Sequence, residues 1–479
     1  YYMQDDQPTA PLQQINAADP DQLLDFQDIY GFSGTDNLDG LSLLQPRFGF
    51  DYTPTDRLSF TGGVGVYQGG NPQVWVSNNF TPPTIASFFQ VFFPSGVTGR
   101  DVPQALQDLI AQGVTPATLD AAANERADNA LQNVDVLDPS FDVPHVLRAS
   151  LQADYNLNLE RFGLGDDYRL SASVLYGDQL QSIVWKNLAF ERADLQGLVG
   201  VAPDGRPIYP DLQAVPDPFA PSVSDREFSV PDAFMITTDE GGTSLAFALS
   251  AAKDYENGFG FQVSYTYQDV EDLLEFTSSR DVSSWRGTIA PDRNNVDVSR
   301  SSQDIEHSFR VRLSYERDFL ADLTSQLTVF GTIRSGQPFS YGYDVDNRPT
   351  RATFGHANGG SPRTAADPLW IPNPGDGTVY FETAQDETNF DALVTARGLE
   401  GYRGSILPRN LDDSPWNQLW NLRFSQELPG IPGAERFVGD NRFRFIVDVE
   451  NFLNLLNEDW GTQYRRSGGF GRADIADLD

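Results

Sequence analysis

Arg148, Asp154, Arg310, Arg312, Arg423, Arg442, Arg444, Asp448 and Glu450 share one trait: each holds a polar position in a stretch where polar and apolar residues alternate. A guanidinium presents paired N–H donors that match a carboxylate or a phosphate. The set therefore suits ion pairing with acidic side chains or the guiding of a charged substrate, and no bond-making step. Other residue types agree. His145, His307 and His356 are the only histidines, they stand in separate segments, and cysteine is absent. Neither an H-E-x-x-H pair nor a G-x-S-x-G elbow occurs, so no enzyme is expected. "GGVGVYQGG" (62–70) lacks phosphate-loop spacing and reads as glycines that let a strand bend or another backbone approach. Asp412 and Asp413 read as solvated loop charges. "DPDQLLDFQD" (19–28) is dense enough in acid to invite calcium but has no EF-hand spacing, so it reads as solubilising charge and no metal or cofactor is expected.

The elements that carry these charges are strands. In "GFGFQVSYTYQD" (258–269), Phe259, Phe261, Val263, Tyr265 and Tyr267 alternate with Gly260, Gln262, Ser264, Thr266 and Gln268. Successive side chains of a strand point to opposite faces, so one face is wholly apolar and the other polar and uncharged. Ten segments alternate in this way, near 47–53, 57–67, 146–157, 167–177, 243–252, 258–269, 307–317, 324–334, 418–428 and 441–451. They approach the 9–11 residues a tilted strand needs to cross a bilayer. An arginine turned toward lipid at the midplane costs about 2–4 kcal/mol, a cost that vanishes if the polar phase faces a lumen.

The connections decide between a soluble sandwich and a barrel. Short turns such as "TPTD", "KDYENG" and "RDFLADL" alternate with long connections at 68–145, 178–242, 270–306 and 335–417. Transmembrane barrels combine short periplasmic turns with long extracellular loops, whereas long loops are uncommon in compact soluble domains. The fold class expected is all-β: an antiparallel transmembrane β-barrel. Within 68–145, "VPQALQDLIAQG…TLDAAANERADNALQNV" predicts short helices in an outer loop. Trp75, Trp185, Trp416 and Trp420 lie near strand ends and predict an aromatic girdle at the membrane interface.

Composition narrows the partners. Net charge is -35, which excludes nucleic acid as a partner, because phosphate backbones need basic patches. Lysine occurs only at Lys186 and Lys253, so nearly all positive charge is arginine. Mean hydropathy is -0.39, and no apolar run is long enough for a membrane-spanning helix.

Several stretches, in order, resemble TonB-dependent receptors, specifically their Oar-like branch. They are "LDGLSLLQPRFGFDYTPTDRLSFTGGVGVYQGGNPQVWVSNNF" (38–80), "RSGQPFSYGYD" (334–344), "YRGSILPRN" (402–410), "LRFSQELPG" (422–430) and "RFRFIVDVENFLNLLNEDWG" (442–461). The resemblance implies a barrel of 22 strands around an N-terminal plug with a TonB box. It implies residence in the outer membrane of a Gram-negative bacterium, among lipid and lipopolysaccharide. It also implies uptake of a substrate caught by outer loops, driven by TonB acting on the plug. Neither the plug nor a terminal strand ending in an aromatic residue is recognisable in residues 1–479, so the ten segments correspond to strands 12 to 21 of such a receptor. The polar-phase residues would then line the substrate path or pair with acids on the plug. Another chain portion, or another surface protein, would lie beside the outer strands. The alternatives are a scaffold barrel that docks a second surface protein through its loops and, more remotely, a soluble β-rich enzyme.

Overall fold

The computed structural model describes residues 14–16, 19–24, 26–69, 72–80, 134–191, 200–208, 215–216, 227–228, 233–276, 278–320, 322–343, 367–377, 379–430, 442–458, 460–461 and 472–474. The alternating stretches become the ten strands of one antiparallel meander. They are β1 (Arg47–Thr55), β2 (Leu58–Gln68), β3 (His145–Leu157), β4 (Tyr168–Asn187) and β5 (Thr243–Asp254), then β6 (Phe259–Asp272), β7 (His307–Leu320), β8 (Leu323–Arg334), β9 (Asn417–Leu428) and β10 (Phe443–Val449). Each strand pairs with its predecessor and its successor in the chain. Among the described residues β1 pairs only with β2, and β10 only with β9. The sheet is therefore not closed. A ten-stranded ring does not form, and the neighbouring segments expected beside β1 and β10 are not present among the described residues.

Register carries the two-faced pattern across the whole sheet. Tyr52, Phe60, Ala153, Ala172, Leu249, Tyr265, Phe309 and Ile333 stand opposite one another in one continuous row over eight strands. The adjacent row, on the other face, reads Asp51, Thr61, Gln152, Ser173, Ala248, Thr266, Ser308, Arg334 and Asn417. Because a slip of one residue would exchange the two faces, the agreement of every pairing shows that the sequence pattern sets the register. The apolar face is uncovered by protein: Phe48 is 67% exposed, and Leu151, Phe247, Phe309, Phe424 and Phe445 are exposed as well. The glycine-rich stretch lies within β2 and behaves as expected. A Cβ on Gly63 would meet the Phe48 carbonyl oxygen at 2.7 Å, so the close approach of β1 and β2 needs glycine there.

Burial is inverted relative to a soluble protein. The apolar cores lie beyond the sheet, at the long-connection end. β4 runs on past its membrane-length portion, and Ile183, Val184 and Trp185 in this extension pair with the strand Ala233–Asp239. That strand in turn pairs in parallel with Val134–Leu137. Phe190, Phe234, Ile236, Leu274 and Trp285, the last on the helix Asp281–Gly287, complete this core. A second core gathers Phe339, Tyr341, Leu369, Ile371 and Leu407 with Phe390 and Val394. The last two come from the helix Ala384–Ala396, which is started by a capping box between Thr383 and Asp386.

The expectation of an aromatic girdle needs correction. Trp185 is 1% exposed and packs at the centre of the first core, with the Trp75 ring 5.8 Å away, so neither belongs to an interfacial girdle. Both tryptophans follow a strand or precede a loop, and sequence position alone could not tell a membrane edge from a folded loop above it. Trp416, half-exposed and stacked on His307, and Trp420, on the apolar face opposite Gly331, do occupy strand-end positions. Within 68–145 the described helices are Gln73–Val76 and Ser77–Phe80; the helical pattern read at 102–134 lies outside the described residues except for Val134, which begins a strand.

Candidate functional site on the polar face

Nearly all of the charged residues singled out above occupy the polar face of a strand or continue its phase, but they do not form one cluster. On β9 and β10, Arg423 stands opposite Asp448 and grips it with two hydrogen bonds, Nε to Oδ1 at 2.6 Å and Nη2 to Oδ2 at 2.9 Å. Arg444 (2.8 Å) and Arg442 (3.2 Å) converge on Glu427, and Arg442 also reaches Asp322 at 3.2 Å. Glu427 and Asp322 were missed in the sequence. Glu427 was legible, since it shares the parity of Arg423 within "LRFSQEL"; Asp322 sits in a turn, where parity gives no guide. Asp154 accepts both of its hydrogen bonds from Gln152, at 2.9 and 3.1 Å. Glu450 makes no ion pair among the described residues.

Arg148, Arg310 and Arg312 differ from the rest: among the described residues none of them pairs with a carboxylate. Arg310 lies opposite Ser264 and Thr332, and Arg312 opposite Gln262 and Phe330. Two residues apart on one strand face, their Cα atoms are about 7 Å from each other. Arg148, between Gly65 and Gly177, is four strands away, about 19 Å across the strands at roughly 4.8 Å each, and its row runs through Ser244 to Val270, six residues or about a further 20 Å along β6 from the Ser264 row of Arg310. The polar face thus carries a neutralised group at β9–β10 and three guanidiniums that, among the described residues, pair with no carboxylate; they stand among Ser, Thr, Gln and Gly, with Phe330 beside Arg312.

Above this face the long connections are tied into a cap. Arg300 bridges Asp304 (2.7 Å) and Asp413 (3.0 Å), and Arg409, 5% exposed in its side chain, donates to the Asp272 carboxylate at 2.6 Å. Tyr341 donates its hydroxyl to Asp412, and Arg293 meets Asp367 at 3.3 Å. Asp412 and Asp413 are therefore ties between loops, not solvated charges; their partners are remote in sequence, which is why the sequence does not show them. Asp281 is buried, accepts from the Trp185 indole at 3.0 Å and from Asn78 at 3.3 Å, and leaves its Oδ2 without a partner. Burial, and secondarily the neighbouring Asp135, push its carboxyl well above the usual range.

At the opposite end Arg57 grips Asp166 through two 2.6 Å hydrogen bonds and links the first turn to the connection between β3 and β4. The Arg57 contact holds the Asp166 carboxyl down at about 2. Among the described residues no three His, Asp or Glu side chains gather as a metal site would require, and the side chains of 19–25 lie outside the described residues.

A sheet of ten strands, nine of them at least 9 residues long, apolar on one uncovered face and polar on the other, with the apolar cores of the described residues displaced to one end, matches one environment. The family model described as "Outer membrane beta barrel domain" matches residues 30–472. The chain belongs to this family. Membership places the outer membrane beta barrel domain in the outer membrane of a Gram-negative bacterium, and the uncovered apolar face is the one that meets lipid. Among solved structures the chain is similar to the outer membrane transporter YddB from Escherichia coli, at 9% identity and a TM-score of 0.34. The alignment covers 83% of this chain and 35% of that one, so the chain spans about a third of the transporter's length. Comparison with curated proteins gives no match.

Proposed function

We propose that this domain forms part of the wall of a TonB-dependent receptor of the Oar-like branch, a barrel of 22 strands that imports a substrate captured by its outer loops. The observation that carries this reading is the composition of the polar face. Among the described residues Arg148, Arg310 and Arg312 pair with no carboxylate and stand among Ser, Thr, Gln and Gly, with Phe330 beside Arg312, as suits a lumen that contacts a charged body, either acids on a plug or the substrate once the plug has moved. The short turns lie in the periplasm, the cap faces the medium, and the reading assigns no reaction, cofactor or calcium ion to the chain. TonB is the partner through the plug, and further strands stand beside β1 and β10, because unsatisfied backbone groups in hydrocarbon cost several kcal/mol each.

Thr332, opposite Arg310 on the polar face, is the place to test this. The chain has no natural cysteine, so Thr332→Cys in the full-length protein would be the sole label site in this domain. A membrane-impermeant maleimide should label it faster in energised cells than in cells whose proton-motive force has been collapsed. Equal rates would remove energy-coupled opening from the account. A scaffold that docks another surface protein is the second reading; the cross-tied cap favours it, since loops built on two apolar cores offer a fixed surface.

A further inference from the structure

The apolar face is not uniformly smooth. Between β3 and β7 it holds a groove of about 550 Å³, an extent within the range that takes small organic ligands. The groove exists because Ala153 faces Ala172, and Ala251 faces Leu170 and Val263, where the same rows carry Leu, Tyr and Phe on either side. Tyr155, Leu249 and Tyr265 flank it.

At the short-turn end of this groove stands Lys253. It is two residues beyond Ala251 on the same face of β5, about 7 Å away, and it is opposite Phe261. Its ammonium donates to the Asp166 carbonyl and lies over the rings of Tyr168 (5.5 Å) and Tyr255 (5.6 Å), whose hydroxyls are 3.1 Å apart. Among the described residues it pairs with no carboxylate, while the other cations nearby, Arg57 and Arg169, are paired to Asp166 and Asp254. Glu256, in the turn after β5, makes no ion pair among the described residues, whereas Asp167 lies within electrostatic range of Arg57.

We propose that this groove is a binding site for a zwitterionic glycerophospholipid with a free headgroup amine. One acyl chain lies over the three alanines, the phosphate meets Lys253, and the headgroup ammonium meets Glu256. Charge complementarity selects this occupant. An anionic lipid would satisfy Lys253 but face the uncompensated Glu256 carboxylate, and a fatty acid would leave that carboxylate unpaired. Tyr168 and Tyr255 suit the interface, where an aromatic ring touches chains and its hydroxyl touches headgroups. The inference rests on the apolar face meeting lipid, and it does not depend on which side of the membrane the turns occupy.

The test is photolabelling of the full-length protein in phosphatidylcholine vesicles that contain phosphatidylethanolamine with a diazirine in one acyl chain. Label should concentrate on the peptides carrying Ala153, Ala172 and Ala251 relative to the apolar face of β9 and β10. Lys253→Gln should lower that enrichment by about threefold, the size of one partly exposed charge contact, and Lys253→Arg should restore it. Ala172→Trp, which fills the groove, should abolish it. Even labelling across the face, or enrichment unchanged by Lys253→Gln, would overturn the site. Equal enrichment with phosphatidylglycerol carrying the same diazirine would overturn the assignment of the amine. A failure of the face assignment itself would appear separately, as label on the polar-face residues of the same strands.

Discussion

Arg423 and Asp448 stand directly opposite each other on β9 and β10 with two short hydrogen bonds, yet about half of each side chain is open to its surroundings. Arg409, in contrast, meets Asp272 with its side chain 5% exposed. The same pair of residue types therefore does different physical work on the sheet and in the cap. An exposed pair gains little over its solvated ions, whereas a buried one leaves a stranded charge when it is broken.

This difference sets the first expectation. In a double-mutant cycle, coupling between Arg423→Ala and Asp448→Ala should be about 0.2–1 kcal/mol. Arg409→Ala should cost about 3–5 kcal/mol because it strands Asp272. Urea unfolding followed by tryptophan fluorescence measures both, and a costlier loss at Arg423 than at Arg409 would contradict the assignment.

Asp281 gives a pH dependence with a definite sign. Its folded-state carboxyl titrates above the unfolded value, so its charge works against the fold. The contribution of Asp281 to cap stability is highest below the ordinary carboxylate range and falls as pH rises toward the raised value. Asp281→Asn keeps an oxygen for Trp185 and Asn78 and puts an amide where Oδ2 has no partner. The variant should gain about 1–3 kcal/mol at pH 8, and less at pH 5. Trp285 fluorescence during unfolding reads this, and a variant weaker than the parent at pH 8 would be inconsistent with it.

Much of the sheet was legible in the sequence because one physical demand shaped it. Lipid on one side and a polar interior on the other impose a period of two, which Phe259 to Tyr267 and Phe309 to Tyr315 show plainly. The parity of the pairing followed, since a slip of one residue would exchange the two faces. The cap was not legible. Ile183, Val184 and Trp185 continue β4 but are buried on both faces, so alternation fades there, and the partners Phe234 and Trp285 lie far along the chain. Of the candidate site, parity placed Arg310, Arg312 and Arg423 on one face, but which arginines find a carboxylate depends on neighbouring strands. Asp448 is paired because β10 lies beside β9; Arg310 is unpaired because Ser264 and Thr332 flank it.

Sidedness is open to direct test. An epitope inserted at Gly375, in the cap, should bind antibody on intact cells, whereas one at Asn257, in the β5–β6 turn, should bind only after the outer membrane is permeabilised. The reverse pattern would invert the orientation proposed for the barrel.

The account stands on the assignment of the two faces, and Phe261 and Gln262 probe it most directly because they are adjacent on β6 and opposite in direction. A nitroxide at each position, in the full-length protein in lipid, can be relaxed by oxygen, which dissolves in hydrocarbon, and by a water-soluble nickel chelate. Oxygen should relax the label at 261 more strongly and the chelate the label at 262. The opposite order, or equal access at both positions, would contradict an outer-membrane barrel with its apolar face in lipid.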